Sequence, residues 1–261
     1  MEITEFRFTP AKIAPEIRDR FLAQYLDTLE RFFSELARNG LILESGAQIA
    51  FENGVYVCRV IAADPYAITE ENFAYDTKKV LKRIIEQSEG LPQFSGMGDD
   101  PLHGHCKCKS PSHLVMNPCP EWEGTPIQCG DCMKSIPLYR LARYGGEMEF
   151  DDVLRWRRLY RSYLNQCLIG IDEIDGRESY QMLHECVSTL SLAGRALAGQ
   201  VEQATGVPVY YPIYYKFERV PDICPQCGEK WRNSYPDGVK FSHACLACRI
   251  VSSEQKGAYG S

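Results

Sequence analysis

Eight of the twelve cysteines in this 261-residue sequence fall into four close pairs: Cys106/Cys108, Cys129/Cys132, Cys224/Cys227 and Cys245/Cys248. Paired thiols on short spacers can grip a soft metal ion or cycle between thiol and disulfide. The last two pairs read C-x2-C-x17-C-x2-C, the spacing of a four-cysteine zinc site. A C-x-x-C turn lets two thiolates meet one ion, and two such knuckles close a tetrahedron with Zn–S near about 2.3 Å. Gly228 follows Cys227, where a knuckle asks for a positive φ. A shell of four thiolates leaves no position for water or substrate, so Cys224, Cys227, Cys245 and Cys248 predict a structural zinc.

The first two pairs, "CKC" and, 20 residues after Cys108, "CGDC", can form a second tetrahedron from Cys106, Cys108, Cys129 and Cys132. One residue between two cysteines is a tighter half-site than two. Cys119, His103, His105 and His113 lie close enough in sequence to replace a member. A mixed site with one water would be catalytic in principle. Zinc deaminase chemistry, however, needs H-x-E before P-C-x-x-C, and no histidine here supplies it. The "CGDC" pair also lacks the preceding βαβ pattern of a redox motif. The sequence contains no G-x-S-x-G, P-loop, G-x-G-x-x-G or H-E-x-x-H. These patterns predict a protein that is not an enzyme, carrying two zinc ions. Cys58, Cys167 and Cys186 read as small buried hydrophobes.

Elements that must position the cysteines follow from periodicity. Residues 2–9 alternate as a strand. Pro15 opens an amphipathic helix that Gly40 ends, and two strands flank the turn at Asn53-Gly54. A further helix starts at Thr69 as N-cap. Residues 90–126, rich in Gly, Pro, Ser, His and Cys, predict a long irregular segment organised by metal. Two helices follow, over about 150–169 and about 178–204. Then "VPVYYPIYYKF" (207–217) reads as a strand, with Pro212 placing it at a sheet edge. The predicted class is α+β: an N-terminal antiparallel sheet with helices, a central metal-bound loop segment, a helical pair and a C-terminal zinc ribbon. In domain terms, residues 1–218 form an α+β domain with a cysteine-rich zinc-binding insertion at about 100–136. Residues 219–253 form the ribbon, and 254–261 a flexible tail.

Net charge is −6, and it is uneven: residues 1–100 carry 11 Lys/Arg against 17 Asp/Glu, the remainder 18 of each. Two four-thiolate zinc sites take the total to about −10, because each binds deprotonated ligands. Such acidity is a poor start for phosphate binding, although it leaves room for a local basic face. Arg155, Arg157, Arg158 and Arg161 make the best basic element. Trp231 reads as core of the ribbon. No apolar run reaches membrane-spanning length, and the first residues lack signal-peptide order, so the chain reads as cytoplasmic with no membrane partner.

"PIQCGDCMKSIPLYRL" (126–141), "LAGRALAGQVEQATGVPVYYPIYY" (192–215) and "CPQCGEKW…CLACRIVSS" (224–253) together resemble a bacterial family of uncharacterised zinc-ribbon-containing proteins for which nucleic-acid binding is suggested. The resemblance implies zinc on the ribbon cysteines and no catalytic residues. The expected function is macromolecular binding. A protein partner is favoured, one version being an immunity protein whose acidic face neutralises a basic toxin, with Tyr210 and Tyr214 on the edge strand as contacts. The alternatives are nucleic-acid binding through the Arg-rich helix or the ribbon, and a metalloenzyme at the His/Cys loop.

Overall fold

A computed structural model describes residues 1–43, 47–101, 104–116, 125–141, 150–169, 173–215, 217–231 and 241–252. The architecture is α+β. Two sheets each carry helices, and the larger buried clusters divide between residues 6–84 and 106–250.

The first sheet has the order β2-β3-β1-β4, all antiparallel. It comprises β1 (Glu2–Phe8), β2 (Gln48–Glu52), β3 (Val55–Ala62) and β4 (Gln93–Asp99). Asn53 (φ 52°) and Gly54 (φ 86°) turn β2 into β3, as the Asn-Gly dipeptide predicts. Helix α1 (Arg18–Arg38) follows a short 3-10 turn at Pro15. Its Phe32 and Phe33 meet Phe6 and Phe8 of β1 edge-on, with ring centroids 5.4–6.3 Å apart. Gly40 ends the helix at φ 66°.

Helix α2 (Tyr75–Glu86) starts five residues later than expected. Thr69 makes no side-chain cap and instead precedes a 3-10 turn at Glu70–Asn72. Strand β4 was not legible at all. "QFSGMGD" has no alternation of apolar residues because the strand is exposed along its whole length. It forms through backbone pairing to β1, with a bulge between Ile3 and Thr4.

The second sheet has the order β6-β5-β7-β9-β8. Its strands are β5 (Leu114–Met116), β6 (Ile127–Cys129), β7 (Val209–Pro212), β8 (His243–Cys245) and β9 (Ile250–Ser252). Strand β7 is central rather than at an edge, parallel to both β5 and β9. Pro212 is tolerated there by a division of labour. The N–H groups of Tyr211 and Ile213 donate to the carbonyls of Arg249, just before β9, and of Val251 within it, at 2.8 and 2.9 Å. Residue 212 faces the other side, where pairing with β5 has already ended at Tyr210. Because β9 extends the sheet that β5 and β7 begin, the ribbon expected at 219–253 shares a sheet with the preceding residues. Residues 253–261, including the expected tail, lie outside the described residues.

Helices α3 (Asp151–Ile169), α4 (Glu173–His184) and α5 (Thr189–Thr205) complete this half. The single helix expected over 178–204 is broken between His184 and Thr189. Ser188 accepts from the N–H of Ser191 at 3.1 Å, a local cap that competes with helix continuation. Gly206 (φ 69°) closes α5. Helix α5 lies so close to the sheet that a Cβ on Gly194 would fall 2.2 Å from Tyr211 and 2.5 Å from the Trp156 ring nitrogen.

The halves are joined by polar contacts. Asp64, fully buried, accepts from Tyr139 at 2.6 Å and pairs with Arg140 at 2.6 Å. Burial, together with that carboxylate, pushes the Tyr139 hydroxyl up to about 12, so it remains a donor. Arg38 at the end of α1 pairs with Asp151 at the start of α3, 2.8 Å away.

Two glycines of α5 make a paired test. Gly194→Ala must overpack the helix–sheet contact and should cost about 1–3 kcal/mol. Gly199→Ala, with nothing within 4 Å of the added carbon, should gain roughly 0.5–1 kcal/mol. Thermal unfolding of both variants checks the packing: equal shifts would contradict it.

Candidate metal centres

Three of the four cysteine pairs are built alike. Each C-x-x-C turn is followed by a residue in the left-handed region: Met133 (φ 59°) after Cys132, Gly228 (φ 77°) after Cys227 and Arg249 (φ 55°) after Cys248. That conformation reverses the chain immediately beyond the second sulfur. Met133 N–H donates to the Cys129 carbonyl at 2.8 Å, and Gly228 N–H to that of Cys224 at 2.9 Å. Each first cysteine is then held by a returning strand: Cys129 N–H reaches the Lys134 carbonyl (3.0 Å) and Cys224 N–H the Glu229 carbonyl (2.7 Å). Only Gly228 adopts its φ without steric cost. Arg249 is held in place by α5. Its guanidinium meets the Glu202 carboxylate at 3.0 Å, caps the Leu246 carbonyl at 2.8 Å and lies over the Tyr210 ring.

The fourth pair is the narrower C-x-C. Its N–H at Cys106 donates to the Ser135 carbonyl at 2.7 Å, which lays the segment along the return strand of the Cys129 knuckle. The result is two groups of four thiols, Cys106/Cys108/Cys129/Cys132 and Cys224/Cys227/Cys245/Cys248. Within each group all sulfurs lie within 4.8 Å of one another. Both groups share one burial order along the chain: buried, exposed, buried, half-buried. Backbone N–H groups point at the sulfurs, from Cys108 to Cys106 (3.3 Å), Gln226 to Cys224 (3.5 Å) and Cys248 to Cys245 (3.4 Å).

The donors fit a tetrahedral thiophilic cation. Burial pushes the Cys106, Cys129 and Cys245 thiols up from their ordinary range. Without a cation they therefore stay protonated, with their sulfurs crowded together. A divalent ion reverses that preference, since metal binding expels the protons and replaces sulfur–sulfur repulsion with coordination. The amide donors aimed at the sulfurs would then face thiolates. Both groups could hold a metal ion, and the donor set is the one zinc takes in closed sites.

The alternative ligands are placed elsewhere. His103 and Cys119 lie outside the described residues. His105 lies 3.3 Å from the Met1 amine. His113 is buried, and desolvation favours its neutral form. It shares a hydrogen bond with Ser112 at 2.8 Å. Asp131, inside the "CGDC" knuckle, accepts from the Ser112 N–H at 2.8 Å and from its hydroxyl. Behind this, Gly130 packs against the imidazole so closely that a Cβ would overlap it. Glycine is required at 130 for that approach rather than for its φ.

Other sequence-predicted residues are less available than expected. Arg157 is buried and Arg161 half-buried; only Arg155 and Arg158 of that set are exposed on α3. Both contribute to holding the Asp151 carboxyl below its usual range, a shift due first to Arg38. Tyr210 is 3% exposed and Tyr214 half-buried, because β7 is covered on both faces. Trp231 is fully buried and donates to the Pro221 carbonyl at 2.6 Å, as a core residue of the ribbon should. Cys58 and Cys186 are buried thiols raised by desolvation, Cys58 to about 12. Sequence reasoning missed one exposed group, the lysines of α2. The spacing "KKVLKR" within residues 78–83 carried the signal.

An α+β protein with two tetracysteine clusters is the class that this geometry defines. Residues 108–214 match a family model described as a domain of unknown function (DUF2310), and residues 218–255 another such domain (DUF8594). An uncharacterised protein of Haemophilus influenzae is 25% identical over 96% of both chains. A second from the same organism is 28% identical over 49% of this chain and 64% of its own. These matches support an uncharacterised bacterial family. No solved structure matches the chain. Among the described residues no helix is long and apolar enough to cross a membrane.

Gly130→Ala should disturb the central cluster alone. The added methyl displaces His113 and with it the Ser112–Asp131 brace of the knuckle. Metal analysis after mild chelation should find the central ion lost and the C-terminal ion kept; retention of both would refute the role given to Gly130.

Proposed function

We propose that this chain is a non-enzymatic zinc protein, in which two closed tetrathiolate sites hold a scaffold that works by binding another macromolecule. The observation that carries this reading is the convergence of four thiols, twice, with three of the four half-sites built on the same left-handed knuckle. Sulfur-only shells supply structure rather than a reactive water. In the C-terminal group, Cys224 and Cys245 would tie the turn at 223–230, closed by the Ile223–Lys230 bridge, to β8. In the central group, Cys106 would tie its segment to the β6 hairpin. The ions thereby substitute for apolar core that these short strands cannot supply alone.

Of the partner classes, the protein-partner reading drew on an exposed tyrosine strand, and Tyr210 is buried in β7. Its toxin-neutralising version retains only the overall acidity of residues 1–100 as support. That acidity is not evenly spread, because α2 presents an outward face of lysines.

Metal content tests the scaffold reading. The purified chain should carry two zinc ions, each with four sulfur neighbours by X-ray absorption. Cys129→Ser and Cys245→Ser should each remove one ion, from different sites. Strong chelation should lower the Tm by well over the roughly 2–4 °C that 1 kcal/mol represents in a chain of this size. One ion per chain, or oxygen or nitrogen in either shell, would overturn it.

A further inference from the structure

Helix α2 turns Thr77, Val80 and Ile84 into the core. Its opposite face carries Tyr75, Lys78, Lys79 and Lys82 at i, i+3, i+4 and i+7, with Arg83 beside them. All five are exposed, Tyr75 at 77%. Among the described residues none of the four cations forms an ion pair. The like charges at Lys78/Lys82 and Lys79/Arg83 stand at i,i+4, an arrangement that destabilises a helix by roughly 0.2–0.5 kcal/mol per pair. Asp76 and Glu86 mark the two ends of the helix, leaving its middle purely cationic. A second exposed aromatic, Tyr66 at 73%, sits in the turn that feeds α2, where its carbonyl accepts from Asn72 at 3.0 Å.

We propose that this face of α2 docks single-stranded nucleic acid, the lysines meeting phosphates and Tyr75 stacking on a base. The inference rests on the macromolecule-binding reading above and names the surface and the partner. Charge complementarity requires a polyanion. Lysine meets phosphate as a point charge, without the bidentate geometry by which arginine reads guanine edges in a duplex. An exposed ring in line with the cations suits unpaired bases, whose faces are free to stack; each such contact contributes about 1–3 kcal/mol. An anionic membrane fits less well. An interfacial helix must insert an apolar face, and that of α2 is already committed to the N-terminal core.

The experiment is fluorescence anisotropy with the zinc-loaded full chain and a labelled oligo-dT or oligo-U of about 20 nucleotides in about 50 mM salt. Wild type should bind, and three phosphate contacts should weaken binding roughly tenfold or more when salt rises to about 200 mM. The K78Q/K79Q/K82Q variant should lose at least tenfold in affinity with an unchanged melting curve. Y75A should lose severalfold while keeping the salt slope. The proposal falls if wild type fails to bind at low salt, or if K78Q/K79Q/K82Q binds as well as wild type. It falls equally if R155Q/R158Q abolishes binding instead, or if phosphatidylserine vesicles or polyglutamate bind as tightly as the oligonucleotide. A failure with two zinc ions still bound overturns this inference alone, whereas missing zinc overturns the scaffold reading.

Discussion

The second half is organised around the convergence of four thiols, twice, into groups that a cation could join. Eight sulfurs are brought into two clusters, half of them well buried, by turns and irregular segments beside strands only three residues long. Strands that short bury little apolar surface and make few ladder bonds. What holds them is the geometry of the knuckle, in which a left-handed residue reverses the chain and amides turn toward the sulfurs. The rest of the second half follows from it. Strand β7 becomes central because a cysteine-bearing hairpin lies on each side, β5–β6 toward one cluster and β8–β9 toward the other.

This arrangement also accounts for the mixed character of the core. The α5 helix contacts β7 at a glycine, so that Trp156 and Tyr211 fill the space a side chain would take. Arg249, forced into a left-handed conformation at the end of a knuckle, is repaid by Glu202 of α5. The C-terminal cluster and the helix layer are therefore mechanically continuous. Toward the N-terminal half the connection adds buried polar contacts to the packing of Leu138 on Gly40. Buried Asp64 receives Tyr139 and Arg140, both from the segment just after the central cluster. Order at "CKC…CGDC" thus reaches the first sheet through three side chains.

Electrostatics show why a net charge describes a surface poorly. Residues 1–100 are acidic as a whole, yet several of their acids are engaged: Glu5 with Arg7 and Arg59, Glu35 with Arg38, Asp64 with Arg140. Among the described residues the lysines of α2 have no such partners, and they stand together on one exposed stripe. The arginines of α3, more conspicuous in the sequence, lie partly in the core, where Arg157 is buried.

Much of the chemistry was legible in the sequence, because metal ligation depends on residue type and short spacing. The four ribbon cysteines, the glycine after Cys227, the Asn-Gly hairpin, α1 and α3 follow from local rules that need no knowledge of distant residues. What only the tertiary structure decided was long-range. Pairing to β1 creates β4 from a segment with no strand pattern. Partner strands on both sides put β7 at the centre despite Pro212, since the proline's missing donor falls where one partner has ended. A cap at Ser188 divides a periodic helix, and of the several ligands that sequence allowed around "HGHCKC", backbone pairing to Ser135 brings the cysteines together. Local composition specifies what a residue can bind; only the folded chain specifies which faces remain free to bind it.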